Sequence, residues 1–264
     1  VITAAKKHGA RGFGVDLDTY LLKIANSSAK KEGVADRARF FEQNLFETDL
    51  SQATVITSYL LPEMNERLRP KLLALKPGTR VVAHDYAMGE WDPDDDMTLI
   101  VPEKTVGEPG MSYIFFWIVP ARVAGRWESQ LMIGGKPVSW RFSFAQNFQL
   151  VHGTAHVGER ELKLPQFRMV GEQLAFRLDV PTAGSPRSNS TGQSDGASTT
   201  GKLERGKPVI HQFRGWVKGD TIEGTVVVGD GSGQRVMPWR AQQTERGEAN
   251  MGAARAVTVA GARQ

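Results

Sequence analysis

The chain has 264 residues, 40% of them hydrophobic, and no cysteine, which excludes disulfides, thiol catalysis and cysteine-based zinc sites. Its formal charge of +4 is uneven: residues 1–120 carry 14 Lys and Arg against 17 Asp and Glu, and the remainder 19 against 12. No basic stripe interleaved with aromatics accompanies that excess, so there is no clear nucleic-acid signal, and no apolar run reaches membrane-spanning length.

Residues 10–16 read as a short apolar strand that ends on Asp16. An acid at the carboxyl end of such a strand is a common way to hold the two hydroxyls of a ribose. Asp also ends strands for turn and capping reasons, so the elements after it decide its meaning. From Thr19 to Lys31 the apolar residues recur at helical spacing, and Gly33 supplies a terminator. Strands are predicted over 38–44, 53–58 and 79–85, with a helix over 63–75 that is broken or restarted at Pro70. A turn-rich connector over 102–109 leads to a strongly apolar strand over 113–119, paired with one near 97–101. Strands alternating with helices imply a parallel sheet covered on both faces.

Several runs then resemble class I S-adenosylmethionine (SAM)-dependent methyltransferases, in particular the bacterial relatives of the small protein-lysine methyltransferases. They are Gly14-Val-Asp16, Val34-Ala-Asp36-Arg-Ala-Arg-Phe40, Asn44-Leu-Phe46, Val55-Ile-Thr-Ser-Tyr-Leu-Leu-Pro62 and Leu73-Ala-Leu-Lys-Pro-Gly-Thr-Arg-Val-Val82. The resemblance covers roughly residues 1–119 in continuous order.

What the resemblance implies can be stated residue by residue. Asp16 would bind the SAM ribose, Leu17 would lie against the adenine, Asn44 would meet the adenine amine, and the Leu45 N–H would face adenine N1. The family often has Asp where this chain has Asn44, and an amide oxygen can still accept from that amine. Ser58, Tyr59 and Pro62 after the third of these strands, together with Asp85, would line the methyl acceptor. That loop is not the Asn-Pro-Pro-aromatic motif of enzymes that methylate amide or adenine nitrogens, which argues against a DNA adenine methyltransferase and leaves the acceptor open; the resemblance to protein-lysine methyltransferases favours a protein amine. The glycine-rich loop that binds the methionine end of SAM has no counterpart here, and residues 1–9 read as the helix expected after it. The reading is thus of a methyltransferase sheet without its first strand, in a chain expected to bind SAM poorly as it stands. No catalytic base is assigned, and His84 is read as structural or substrate-lining.

Beyond Pro120 the pattern changes to short alternating strands between glycine turns, the mark of a small antiparallel barrel or sandwich. The expected organisation is a methyltransferase domain over 1–120, a β module over 121–241 with a flexible insert at 181–207, and a patternless tail over 242–264. Trp127 in Gly125-Arg-Trp127 is expected to plug one end of the module. His152 and His156 are not read as a metal site, and residues 92–96 are read as a solvated acidic loop. Two alternatives stay open: an NAD-type Rossmann oxidoreductase, which also uses a strand-end acid, and an inactive methyltransferase fold that serves as scaffold for a ligand-binding barrel.

Overall fold

The computed structural model describes residues 1–181, 208–229 and 233–252. The chain divides into two compact units, Val1–Trp117 and Ile118–Gln264.

The first unit runs α1 (Ile2–His8), β1 (Gly12–Asp16), α2 (Thr19–Lys31), β2 (Ala38–Glu42), β3 (Val55–Ser58), α3 (Pro62–Leu73), β4 (Arg80–His84), β5 (Asp95–Ile100) and β6 (Met111–Ile118). Asp18 starts α2 by accepting the N–H groups of Tyr20 and Leu21, which relieves two of the donors that a helix start leaves unpaired. β1 and β2 are parallel, with Asp16 opposite Glu42, so both carboxyl ends face the same edge. A separate four-stranded sheet has the order β3-β4-β6-β5; β3 and β4 are parallel, and β5 and β6 form an antiparallel hairpin.

Around β1 and β2 the core is small: Ala5, Ala29, Val34 and Ala38, with Ile2 and Phe40 packed on it. Gly14 sits opposite Phe40, and a Cβ there would lie 2.7 Å from the Phe40 ring. Gly14→Ala is therefore expected to push the ring off its strand and cost about 1–2 kcal/mol, read by urea titration. A variant as stable as the parent would mean that the ring swings away freely.

α3 continues through Pro70, where the sequence predicted a break. Leu68, Leu72 and Leu73 are buried on both sides of that residue, so packing offsets the one backbone bond that proline removes. A second departure is the acidic stretch. Asp95 and Asp96 open β5, and the Asp94 N–H donates to the Phe116 carbonyl, so only the start of 92–96 is loop.

In the second unit β7 (Gly125–Ile133), β8 (Lys136–Asn147), β9 (Leu150–Val157), β10 (Arg160–Arg168), β11 (Gln173–Val180), β12 (Val209–Lys218), β13 (Thr221–Gly229) and β14 (Gln234–Arg246) form one antiparallel sheet. Its order is β10-β9-β8-β7-β14-β13-β12-β11, so the first strand pairs with the last and the meander curls into a nearly closed barrel. This is an eight-stranded up-and-down barrel rather than a sandwich. Inward residues alternate with outward ones along β7, β8, β11 and β12. The interior holds Trp127, Trp140, Phe142, Phe144, Phe176, Phe213 and Trp239, with Phe213 4.9 Å from both Phe176 and Trp239 between ring centroids. Trp127 is fully buried and its indole N–H donates to the Val123 carbonyl, as suits a plug.

β14 extends to Arg246, five residues into the stretch expected as tail, because residues 242–246 pair with β7 through backbone bonds that need no apolar side chain. Residues 247–252 of that stretch are held as well, with Gly247 donating to the Ala124 carbonyl and Asn250 to the Gln146 carbonyl; the expected insert beyond Pro181 and residues 253–264 lie outside the described residues.

Candidate active site

Four strands of the first unit deliver their carboxyl ends with polar side chains on or just beyond them. Asp16 ends β1, and one carboxylate oxygen accepts the Asp18 N–H at 2.9 Å. Its other oxygen makes no hydrogen bond among the described residues. Leu17, next in the chain, is 69% exposed.

Two residues beyond β2, Asn44 organises a turn. Its Oδ1 accepts the Phe46 N–H at 3.0 Å and its amide donates to Glu47, while its carbonyl caps the N–H and hydroxyl of Thr48. Oδ1 keeps a second lone pair for a further donor. The Leu45 N–H makes no hydrogen bond among the described residues.

The other two strand ends meet each other. Ser58 ends β3 with a buried hydroxyl that has no partner among the described residues. Tyr59 follows it, half exposed, with its ring 4.5 Å from the imidazole of His84 at the end of β4. Pro62 opens α3 at a position where the missing N–H costs nothing. Asp85 has φ 64, and the Tyr86 N–H reaches back across it to the His84 carbonyl at 2.8 Å. A three-residue turn of that kind with positive φ at its centre is a rare and strained form.

The contacts that hold this turn come from the β5–β6 hairpin. The Asp85 N–H donates to the Tyr113 carbonyl at 2.7 Å and its carboxylate accepts the Tyr113 N–H at 3.2 Å. Lys104 donates to the carboxylate at 2.6 Å and also to the Met111 carbonyl. The two side chains are only 4% and 10% exposed. Gly107 leaves room for the pair, since a Cβ there would lie 3.0 Å from Asp85 Oδ2. Desolvation pushes the Asp85 carboxyl up, but Lys104, the Tyr113 N–H and His84 outweigh it and hold it below the ordinary carboxylate range. The Tyr59 phenol is pushed up, by desolvation first and then by the Asp85 charge.

α3 fastens two of these loops. Lys71 donates to the Phe46 carbonyl at 2.9 Å and the Arg67 guanidinium lies 3.9 Å from the Phe46 ring centroid, which steadies the Asn44–Leu45 turn. Asn65, fully buried, donates to the Tyr86 and Ala87 carbonyls, and Arg69 donates to the Met88 carbonyl, which steadies the segment after Asp85. Sequence reasoning singled out none of Asn65, Arg67, Arg69, Lys71, Lys104 or Ser112, whose hydroxyl lies 3.1 Å from His84 Nε2. Asn65 and Arg69, and likewise Arg67 and Lys71, lie four residues apart on α3, a usable signal; Lys104 and Ser112 carried none.

The structure brings Ser58, Tyr59, His84 and Asp85 into one cluster, and Asp16 beside β2. No hydrogen bond or ring contact among the described residues joins the Asp16–Asn44 group to the Tyr59–Asp85 group. Among the described residues no cluster of three or more metal-ligating side chains occurs, and His156 lies instead 3.9 Å from Glu161.

A parallel α/β arrangement with a strand-end acid and a cluster of polar strand ends defines a class that binds nucleotide-type cofactors. Residues 1–95 match the ANTKMT methyltransferase domain. The chain is 42% identical over 97 residues to a protein-lysine N-methyltransferase of Saccharolobus islandicus (strain REY15A), covering 36% of this chain and 60% of that protein. It is 30% identical over 95 residues to the ATP synthase lysine N-methyltransferases of Rattus norvegicus and Homo sapiens, covering 36% of this chain and 44% and 41% of theirs. The chain thus spans 60% or less of these relatives' length. A solved RNA methyltransferase from Salinibacter ruber, in complex with S-adenosyl-L-homocysteine, is 44% identical with a TM-score of 0.40, covering 47% of this chain and 74% of that one. Over its N-terminal segment the chain is thus similar to methyltransferases of this kind.

Proposed function

We propose that the protein of which this chain is part is a SAM-dependent methyltransferase that acts on a protein amine, the side chain of lysine. The observation that carries this reading is the set of strand ends in the matched segment, with Asp16 at one and the Ser58–Tyr59–His84 cluster at two others. The residues suit the cofactor. Asp16 has a free carboxylate oxygen for a ribose hydroxyl, Leu17 offers an exposed apolar side chain to an adenine, and Asn44 and Leu45 offer an oxygen and an N–H to its edge. When bound, SAM supplies an electrophilic methyl group on a sulfonium. The chain's own residues then have to hold the acceptor in line in a dry site, which suits Ser58, Tyr59, Pro62 and Asp85. The relatives favour neither the NAD-type oxidoreductase nor the inactive scaffold. In this reading residues 1–120 form the catalytic domain and the β module over 121–241 forms a second one.

The same reading includes a further strand between β1 and β3. The sheet order leaves the free edge of β1 and the free edge of β3 unpaired among the described residues, and Phe13 and Val55 on those strands are about half exposed. Parallel strands are ordinarily buried on both faces and paired on both edges. A strand seated there would give the continuous order β2-β1-x-β3-β4-β6-β5.

Calorimetric titration of S-adenosylhomocysteine into the full-length gene product tests the assignment, with Asp16→Ala as control. Loss of hydrogen bonds to a charged acceptor is expected to weaken binding by about tenfold to a hundredfold. Absent binding, or binding indifferent to Asp16, would sink the reading.

A further inference from the structure

We propose that His84 is the catalytic residue that takes the proton from the acceptor's ammonium, and that Asp85 and Lys104 are positioning residues that set its tautomer. The proposal rests on the methyltransferase reading above. An alkylammonium has no lone pair, so it must lose a proton before it can attack a methyl group. An imidazole with a bare nitrogen beside the acceptor is suited to receive that proton.

The geometry distinguishes the two ring nitrogens. Nε2 lies 3.1 Å from the Ser112 hydroxyl oxygen and 3.4 Å from Asp85 Oδ1. The nearby carboxylate favours the N–H form at Nε2, and the Ser112 hydroxyl accepts that hydrogen. Nδ1 makes no hydrogen bond among the described residues, and about a third of the side chain (32%) is exposed. The ring is therefore held at one nitrogen and open at the other, the arrangement by which an acid orients a histidine base.

Asp85 can play this part only because of its own surroundings. It is strained at φ 64, and its charge is kept by a nearly buried Lys104. A desolvated ion pair on a strained turn is an expensive way to join a hairpin to a strand if stability is its only use. Tyr59 just after β3 and Asp85 after β4 lie against this ring, while Lys104 and the Tyr113 N–H of the hairpin region meet the Asp85 carboxylate.

In the step itself the ammonium N–H bond breaks and its proton forms a bond to Nδ1, leaving a neutral amine and an imidazolium. The amine lone pair forms the new N–C bond as the C–S bond breaks, and that electron pair leaves with sulfur as a neutral thioether. Tyr59, its ring tilted against His84, forms the wall along which the amine approaches.

The test uses the full-length protein, labelled with 15N-histidine and assigned with His84→Gln, after S-adenosylhomocysteine binding has been checked by calorimetry. NMR should find His84 with its hydrogen on Nε2 and Nδ1 bare. Adding n-butylammonium, a mimic of the lysine side chain, to the loaded protein should move the Nδ1 resonance toward its protonated value. Asp85→Asn and Lys104→Met should turn the single tautomer into a mixture, and Lys104→Arg should restore it, which a purely structural ion pair would not do. If Asp85→Asn does not fold, the wild-type measurements decide alone. A hydrogen on Nδ1 in the wild type, or a ring indifferent to the amine while the cofactor product binds, overturns the proposal and leaves the methyltransferase reading standing. Failure of the product to bind overturns both.

Discussion

Gly125→Ala is expected to unfold the barrel or lower its melting temperature by about 10 °C, a loss of about 3 kcal/mol or more. Gly125 opens β7 at φ 125 and pairs with Arg246 on β14, at the seam where the meander meets itself. A Cβ at this position would lie 2.0 Å from the Glu245 carbonyl oxygen and 2.7 Å from the Gly247 nitrogen. Both are backbone atoms, so no side chain can rotate to make room. The seam already carries a register irregularity between Gln243 and Glu245, which leaves little slack to absorb the shift. Gly233→Ala is the control: nothing lies within 4 Å of its Cβ, and its change should stay within about 1 kcal/mol. Near-ultraviolet dichroism of the buried tryptophans follows the transition. Equal melting of the two variants would show that the seam opens without cost.

The second large effect is expected at Asp85. Asp85→Ala leaves the Lys104 ammonium almost buried with only the Met111 carbonyl as partner, a change that costs about 3 kcal/mol. The pH dependence has a definite sign. Because the folded-state carboxyl lies below its unfolded value, the unfolded chain binds the proton first as pH falls. The contribution of the pair is complete above the unfolded carboxyl range and fades as pH drops through the folded value. Urea titrations from neutral pH down into that acid range should show a steeper loss in the parent than in Asp85→Asn. Parallel curves would mean that the ion pair adds nothing to the fold.

These two effects arise from contacts distant in sequence, and that separates what could be read in the chain from what could not. The strand ending on Asp16, the capped helix after it, the Lys76-Pro77-Gly78 turn and the strand before Asp85 were legible because each depends on neighbours within a few residues. The strand pairing of the 113–119 run was legible for the same reason, since it forms a hairpin. Where the pattern misled, backbone pairing or packing that side-chain alternation does not encode had decided the outcome. The alternation by itself predicts two strands over 135–138 and 140–144, yet 136–147 form one, β8, because β7 pairs with 136–144 and β9 with 140–147. The alternation predicts a strand over 166–170 only, since Arg160–Lys163 is largely polar and a bulge falls between Leu164 and Phe167, yet the backbone of 160–164 pairs with β9. Pro70 lies inside a helix because the residues around it are packed.

The candidate site divides in the same way. Asp16, Leu17, Asn44, Leu45, Ser58, Tyr59, Pro62 and Asp85 stand out in the sequence because they follow strands, and strand ends are local. The contacts of Tyr59 with His84, of His84 with Ser112, and of Asp85 with Lys104 and Tyr113 span separations of 19 to 28 residues. They depend on which strand lies beside β4 and on a turn whose φ no residue type dictates. By itself the sequence determined the alternation of strands and helices, the strand-end acid, the change to an all-β second half and the family it resembles. Only the tertiary structure decided that the second half curls into an eight-stranded barrel, and that a lysine from a hairpin turn holds the acid beside the histidine. The reason is physical: periodicity and turn chemistry act over a few residues, whereas register and ion pairing are set when distant segments pack.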